Sequence, residues 1–294
     1  MAQAQTYLKT GYEWVVDIDL EKFFDQVNHD RLLSALSQRI RDARVLQLIR
    51  AYLKAGVLEN GLVSPRTAGA AQGGPLSPFL CNVVLDELDK ELEKRGHLFV
   101  RYGDDCNIYV RSRRARERVM ASISRFITDG LKLKLNQSKS AVARPRERKF
   151  LGFSFTRSGG LHRRKVAPES IQRFKQRVRQ LTRRTRSVNW QERMAQLSEY
   201  LRGWKAYFGI AETIRQFKDL DSWIRRRLRC ALWKQWKTYR RRKRALMLLG
   251  VQQSLAHTTA WSSKGPWRVC HTPGVQIALS IDYFDGLGLP KLSA

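Results

Sequence analysis

Three aspartates in this sequence stand where a carboxylate needs a reason. Asp19 ends the apolar run Trp14-Val15-Val16-Asp17-Ile18, and Asp104 and Asp105 sit together between Phe99-Val100-Arg101-Tyr102 and Ile108-Tyr109-Val110. A carboxylate held beside a core must be paired, ligated or protonated. Taken singly, each has a plain reading, Asp19 as a helix N-cap and the pair as an Asp-rich turn. Taken together, with the first run laid beside the other two, they make a cluster of negative charge that bound divalent cations would neutralise. Two Mg²⁺ ions about 3.5–4 Å apart serve an in-line phosphoryl displacement, one activating the attacking hydroxyl and the other stabilising the leaving pyrophosphate. Oxygen ligands without histidine favour Mg²⁺ over zinc. Cys81, Cys106, Cys230 and Cys270 are far apart with no CxxC pair, which argues against a zinc knuckle and a disulfide framework and reads as reduced, structural thiols.

The elements that must position these aspartates can be read from periodicity. The runs on either side of Gly103-Asp104-Asp105-Cys106-Asn107 predict a two-strand hairpin, and Trp14 to Asp19 predicts a buried strand. Helical stretches are expected around 28–54 and 77–94, and a third carries Val119, Ile123, Ile127 and Leu131 on one face. Strands are expected near Ala141 and from Lys149 to Phe155. The order gives an α+β fold, an antiparallel-rich sheet with helices on one face over residues 1–158.

Charge sets the second half apart. The 294 residues hold 56 Lys plus Arg against 26 Asp plus Glu, a net charge of +30. Residues 161–250 alone hold 26 basic and six acidic residues, which marks a segment built to grip a polyanion. Its apolar residues fall on helical faces: Ile171, Phe174, Val178 and Leu181; Met194, Leu197, Leu201 and Trp204; Phe217, Leu220, Ile224 and Leu228. Pro168 opens the first run. The expected RNA-binding residues are Arg177, Arg179, Arg183 and Arg184 on the first run and Arg225, Arg226, Arg227 and Arg229 on the third. Trp204, Trp223, Trp233 and Trp236 read first as core and second as base-stacking rings. No run approaches the roughly 20 apolar residues of a membrane span and no signal-peptide pattern opens the chain, so a cytoplasmic protein without a membrane partner is expected.

Tyr102-Gly103-Asp104-Asp105, within Arg101 to Ser112, resembles the YxDD block of reverse transcriptases, specifically those encoded by bacterial group II introns. Four further blocks agree in order. Asp17 to Asp25 resembles the block that supplies the first catalytic aspartate, Asp19, and the aromatic that excludes a 2′-hydroxyl, Phe24. Gln72-Gly73-Gly74-Pro75-Leu76-Ser77-Pro78 resembles the block whose glutamine contacts the incoming nucleotide. Lys139 in Asn136 to Ser140, and the primer-gripping Phe150-Leu151-Gly152, complete the series. The resemblance implies a polymerase palm followed by an all-α basic thumb, domain X, over 159–250 and its extension over 251–294. It implies Asp19, Asp104 and Asp105 as catalytic residues and Asp19, Leu20, Asp104 and Asp105 around two Mg²⁺ ions. Phe24, Gln72 and Lys139 would meet the nucleotide. Implied partners are intron RNA, an RNA template with its DNA primer, and deoxynucleotide triphosphates.

Departures shape the expectation. The first block begins 19 residues in, so the fingers region is expected to be missing, with a separate fingers polypeptide or a dimer as the means of completion. Ala68, Ala70 and Ala71 replace the family's usual Glu, Thr and Pro, and Gly103 replaces Ala. No His and Cys endonuclease cluster follows domain X. Two functions remain open: a polymerase that copies RNA into DNA and acts as a splicing maturase, and a shortened maturase that binds intron RNA without polymerising.

Overall fold

The computed structural model describes residues 1–55, 57–59, 62–64, 68–70, 74–185 and 188–294. The chain forms two compact units, Met1–His162 and Arg163–Ala294. In the first, α1 (Ala2–Lys9) precedes β1 (Trp14–Ile18), α2 (Phe23–Gln26), α3 (His29–Ser37) and α4 (Ala43–Lys54). A small hairpin, β2 (Val57–Glu59) with β3 (Leu62–Ser64), leads to α5 (Ser77–Lys94), β4 (Leu98–Tyr102), β5 (Asp105–Val110) and α6 (Arg113–Arg125). A π-helical turn (Phe126–Gly130), β6 (Ala141–Ala143) and β7 (Phe153–Ser158) follow, and β8 (Leu161–Val166) carries the chain into the second unit.

The central sheet runs β4-β5-β1-β6, and every pairing in it is antiparallel. Alternation along β1 and β5 sends Val16, Ile18, Cys106 and Ile108 to one side, where they pack with Leu85, Leu88 and Leu92 of α5 and with Val119, Ile123 and Ile127. Val15 and Tyr109 face the other side and meet Ala4 and Leu8 of α1. The expected α+β arrangement is therefore present, with the larger core on the side of α5 and α6.

Local differences from the sequence reading have local causes. The stretch 28–54 is two helices, because the chain leaves α3 after Ser37 and Asp42 caps a new helix by accepting from the Arg44 amide at 2.8 Å. The strand expected from Lys149 begins at Phe153. Leu151 (φ 53°) and Gly152 (φ 78°) both adopt left-handed backbone in a tight turn closed by Phe150 and Phe153, whose amides and carbonyls exchange hydrogen bonds of 2.8 and 3.0 Å. The hairpin of β2 and β3 was not anticipated.

The second unit is helical: α7 (Pro168–Leu181), α8 (Trp190–Phe208), α9 (Ile214–Gln235), α10 (Tyr239–Leu248), α11 (Gln253–Trp261), α12 (Pro266–Val269), α13 (Pro273–Ala278) and α14 (Ile281–Gly286). The three apolar stripes read from the sequence bury on α7, α8 and α9. Trp204 is their hub, with ring centroids 4.5 Å from Phe174 and 5.9 Å from Phe217. Trp204 and Trp233 are core residues, 8% and 1% exposed, which rules out base stacking for both. No helix among the described residues is long and apolar enough to cross a membrane.

Asp221, 4% exposed on α9, accepts from the Leu292 and Ser293 amides at 3.0 and 3.1 Å. It anchors the residues after α14 to the core of the unit. Asp221→Ala strands one buried and one half-buried donor and should lower unfolding stability by about 2 kcal/mol, read from the denaturant midpoint.

Candidate active site

The acidic cluster follows from the pairing of β1 with β5. Val15 opposes Tyr109, Asp17 opposes Asn107 and Ile18 opposes Cys106, so the register continued by one residue sets Asp19 against Asp105. Directly opposed residues share a face, with Cβ atoms about 4.5–5.5 Å apart. One face of the two strands thus runs from apolar, at Val15 and Tyr109, to acidic, at Asp17, Asp19 and Asp105. Asp104 joins it from the turn, where Tyr102 pairs with Asp105 and Gly103 takes φ 63° as the first central residue.

The electrostatics of the cluster follow from this proximity. Burial pushes the Asp105 carboxyl above its ordinary range, and the charges of Asp104, Asp17 and Asp19 push it in the same direction. Asp17 is also raised, first by burial and further by Asp19, against an opposing hydrogen bond from Arg148. Arg148 Nε donates to Asp17 at 2.7 Å, and Lys149 pulls both carboxyls down only weakly. The chain's own cations thus leave the cluster under mutual repulsion, and all-oxygen donors of this kind fit a hard divalent cation. Among the described residues, no three His, Cys, Asp or Glu side chains converge closely enough to hold a metal ion as they stand.

The strand carrying Asp19 is pinned from its other side. The Asp19 carbonyl accepts from the Asn136 amide at 2.9 Å and from Ser140 Oγ at 3.2 Å, and Ser140 Oγ accepts from the Asp19 amide at 3.0 Å. The isolated bridge between Leu20 and Leu135 uses the Asp19 carbonyl and the Glu21 amide, so Leu20's own carbonyl takes no part in it. The aspartate turn is held by Arg101. Its guanidinium donates to Asp89 of α5 at 2.8 Å, to Asn82 at 2.9 Å and to the Gly103 carbonyl at 2.9 Å. Sequence reasoning passed over Arg101, Asp17 and Arg148 as functional residues. For Asp17 a signal existed, since it lies two residues before Asp19 and therefore on the same face.

The remaining expected residues are dispersed. Phe24 is half-buried, its ring edge-on to Phe23 at 5.4 Å, and its carbonyl accepts from the Ala70 amide at 2.6 Å. Gly69 (φ 89°) packs so tightly that a Cβ there would lie 2.8 Å from the Phe24 carbonyl oxygen. His29 Nε2 also contacts the Gly69 carbonyl at 2.6 Å. Gly69 and Ala70 are thus fastened to the backbone at Phe24 and Val27 and to the His29 side chain of α3. Gln72, with Ala71 and Gly73, lies outside the described residues. Lys139 is exposed after Asn136, and its carbonyl accepts from Arg148. Phe150, Leu151 and Gly152 form the tight turn described above.

In the second unit Arg177, Arg179, Arg183 and Arg184 are exposed. Arg225, Arg226 and Arg227 are half-buried. Arg229 departs from its expected role: it is 7% exposed and its Nε donates to the Leu279 carbonyl at 2.8 Å. It faces inward because that carbonyl, just past the end of α13, needs a donor.

The chain is similar to known proteins over parts of both units. The profile of the family described as reverse transcriptase (RNA-dependent DNA polymerase) matches residues 2–155, and that of the group II intron maturase-specific domain matches residues 171–248. The chain is 29% identical over 168 residues to Protein YkfC of Escherichia coli (strain K12), covering 46% of this chain and 44% of that protein. It is 42% identical over 80 residues to the group II intron-encoded protein LtrA of Lactococcus lactis subsp. cremoris, covering 27% and 13%. It is 32% identical over 147 residues to the Retron Mx65 reverse transcriptase of Myxococcus xanthus, covering 46% and 34%. The chain spans less than half the length of each of these relatives.

The Arg101 network and the Gly103 turn predict separable effects on stability. Arg101→Ala should cost about 2 kcal/mol, with part recovered by adding Asp89→Ala, since the double variant leaves no unpaired carboxylate. Gly103→Ala should cost about 1 kcal/mol, because φ 63° is strained for a side chain although the added Cβ meets nothing within 4 Å. Denaturant titration of the three variants against the unmodified chain measures all of these terms.

Proposed function

This chain belongs to the reverse transcriptase (RNA-dependent DNA polymerase) family and carries a group II intron maturase-specific domain, and we propose that it copies RNA into DNA and binds intron RNA as a splicing maturase. The observation that carries the polymerase reading is the register that sets Asp19 against Asp105 beside the Asp104 turn. Asp19, Asp104, Asp105 and the Leu20 carbonyl would hold two Mg²⁺ ions. Bound there, such ions would supply charge stabilisation for the primer hydroxyl and the departing pyrophosphate.

The chain's own residues do the positioning. Arg101 links the turn to α5, holding the Gly103 carbonyl on one side and the Asp89 and Asn82 side chains on the other, so Asp104 and Asp105 are presented from a turn tied to that helix. Ser140 and Asn136 hold the Asp19 backbone, which keeps the opposing carboxylate in place. Phe24, whose carbonyl accepts from the Ala70 amide, would crowd a 2′-hydroxyl with its ring and so select deoxynucleotides. Gln72 and Lys139 would meet the nucleotide, and the turn at Phe150, Leu151 and Gly152 would support the primer end. Arg177, Arg179, Arg183 and Arg184, exposed on and after α7, supply phosphate contacts for RNA. A chain that only clasps RNA would use those same arginines, so loss of polymerisation with RNA binding intact separates the two activities.

Primer extension on an RNA template with a DNA primer tests the proposal. Asp105→Ala should lower incorporation at least about 100-fold, while RNA affinity stays within about twofold. Absence of incorporation by the unmodified chain leaves only the RNA-binding reading. Phe24→Ala should raise ribonucleotide incorporation relative to deoxynucleotide by about tenfold. RNA affinity should fall with salt on a log–log slope of about −3 or steeper, as expected when four or more phosphates are neutralised.

A further inference from the structure

Residues 222–281 hold 13 Lys and Arg and no Asp or Glu. Among the described residues, the ion pairs of the second unit, Arg164 with Glu212 and Lys291 with Asp285, lie outside this stretch. Its positive charge is therefore uncompensated within the unit. Set into the same stretch are three rings gathered where α10 packs against α11: Tyr239, His257 and Trp261. Tyr239 is edge-on to His257, at 5.8 Å and 79°, and to Trp261, at 5.4 Å and 83°. His257 and Trp261, one helical turn apart, are parallel within 6° at 6.5 Å.

Trp261 is 72% exposed. A tryptophan ordinarily buries most of its surface, so an indole fixed by neighbouring rings yet left in water calls for an occupant. Edge-to-face contacts with Tyr239 restrict the indole, so little rotamer freedom is left to lose when something stacks on it. Arg240, Arg241 and Arg244 are exposed on α10, the helix that carries Tyr239, and Lys264 is exposed three residues beyond Trp261. Flat aromatic surface within a stretch rich in cations and without a carboxylate complements a ligand that offers planar faces and phosphates together. Unpaired RNA has both.

We propose that Tyr239, His257 and Trp261 form a stacking platform for unpaired bases of RNA, with Arg240, Arg241 and Arg244 on the adjoining phosphates. His257 and Trp261 lie beyond the residues matched to the maturase-specific domain, which end at 248. The platform rests on the RNA-binding reading above and adds a base-contacting site to it. An anionic lipid surface would also attract arginines beside a tryptophan. The rings favour RNA because two of them are parallel to each other and braced edge-on by the third, the disposition of successive stacking faces.

The test compares a labelled single-stranded oligouridylate of about 12 nucleotides with an abasic oligomer of equal length and charge. Trp261→Ala should weaken binding of the oligouridylate about tenfold and leave abasic binding unchanged, whereas Trp261→Phe should keep most of the affinity. An unchanged thermal midpoint confirms that the exposed ring was removed without damage to the fold. Equal affinity of Trp261→Ala and the unmodified chain for the oligouridylate overturns the platform alone, as does an equal loss on both oligomers. Loss confined to phosphatidylserine vesicles, with RNA binding intact, overturns it in favour of a lipid surface. Failure of the unmodified chain to bind either oligomer overturns the RNA-binding reading and the platform with it.

Discussion

The pairing register of β1 with β5 is the constraint on which the rest of the first unit depends. Val16, Ile18, Cys106 and Ile108 are all at most 1% exposed, and they lock that register against α5 and α6. Because side chains alternate, the same register directs Asp17, Asp19 and Asp105 to the opposite face. A slip of one residue would turn the carboxylates of one strand into the helix-facing core, where no partner awaits them, at a cost of several kcal/mol. Hydrophobic burial on one side of the sheet thus fixes, with no contact of its own to the acids, where the acids on the other side must lie.

That arrangement holds like charges together, and the surrounding structure supports the backbone more than it neutralises the side chains. Arg101 grips the carbonyl of Gly103 and the carboxylate of Asp89, behind the turn, and reaches neither Asp104 nor Asp105 through any of its hydrogen bonds. Ser140 binds the amide and carbonyl of Asp19. Arg148 does pair with Asp17, the acid furthest along β1 from the turn. The repulsion that remains at Asp105 is therefore built in, and a site of this kind gains from a cation arriving from outside.

How much of this was legible in the sequence depends on whether a feature is periodic. The hairpin of β4 and β5, the strand of β1 and the stripes of α7, α8 and α9 all repeat a pattern of two or of three to four residues, and each lies where that pattern puts it, except that β5 starts at Asp105, three residues before the run at Ile108. Asp17 could have been added to the cluster by the same parity argument. Features set by a single hydrogen bond or dihedral escaped. The break between α3 and α4 depends on the Asp42 cap, and the late start of β7 on left-handed backbone at Leu151 and Gly152. The grip of Arg101 on Gly103 is invisible without coordinates, since an arginine on a strand otherwise reads as a solvated charge. Gln72, read as a nucleotide contact from its motif, falls outside the described residues, so its role stands on that motif alone.

The second unit shows why a charge count overstates a binding surface. Several arginines there are spent on carbonyls that helix ends leave without donors. Arg193 donates to the Arg183 carbonyl at 2.8 Å, just after α7. Arg227 reaches Thr182 Oγ1 at 2.7 Å at the same helix end. Arg226 donates to the Trp267 carbonyl at 2.9 Å and covers the Trp267 ring at 3.7 Å, while Arg229 serves Leu279 after α13. A cation at a helix C-terminus also meets the negative end of its dipole, so these sites favour arginine even where no acid is present. Burial lowers the pKa of Arg227 and Arg229, and neighbouring arginines lower both further, yet a guanidinium keeps its proton at neutral pH. The inward arginines knit α7, α9 and the segment after α11 into one body, which leaves the outward arginines of α7 and α10 to meet phosphate. A surface so divided should show a salt dependence well below that implied by the unit's full basic excess, because only the outward charges release counterions when RNA binds.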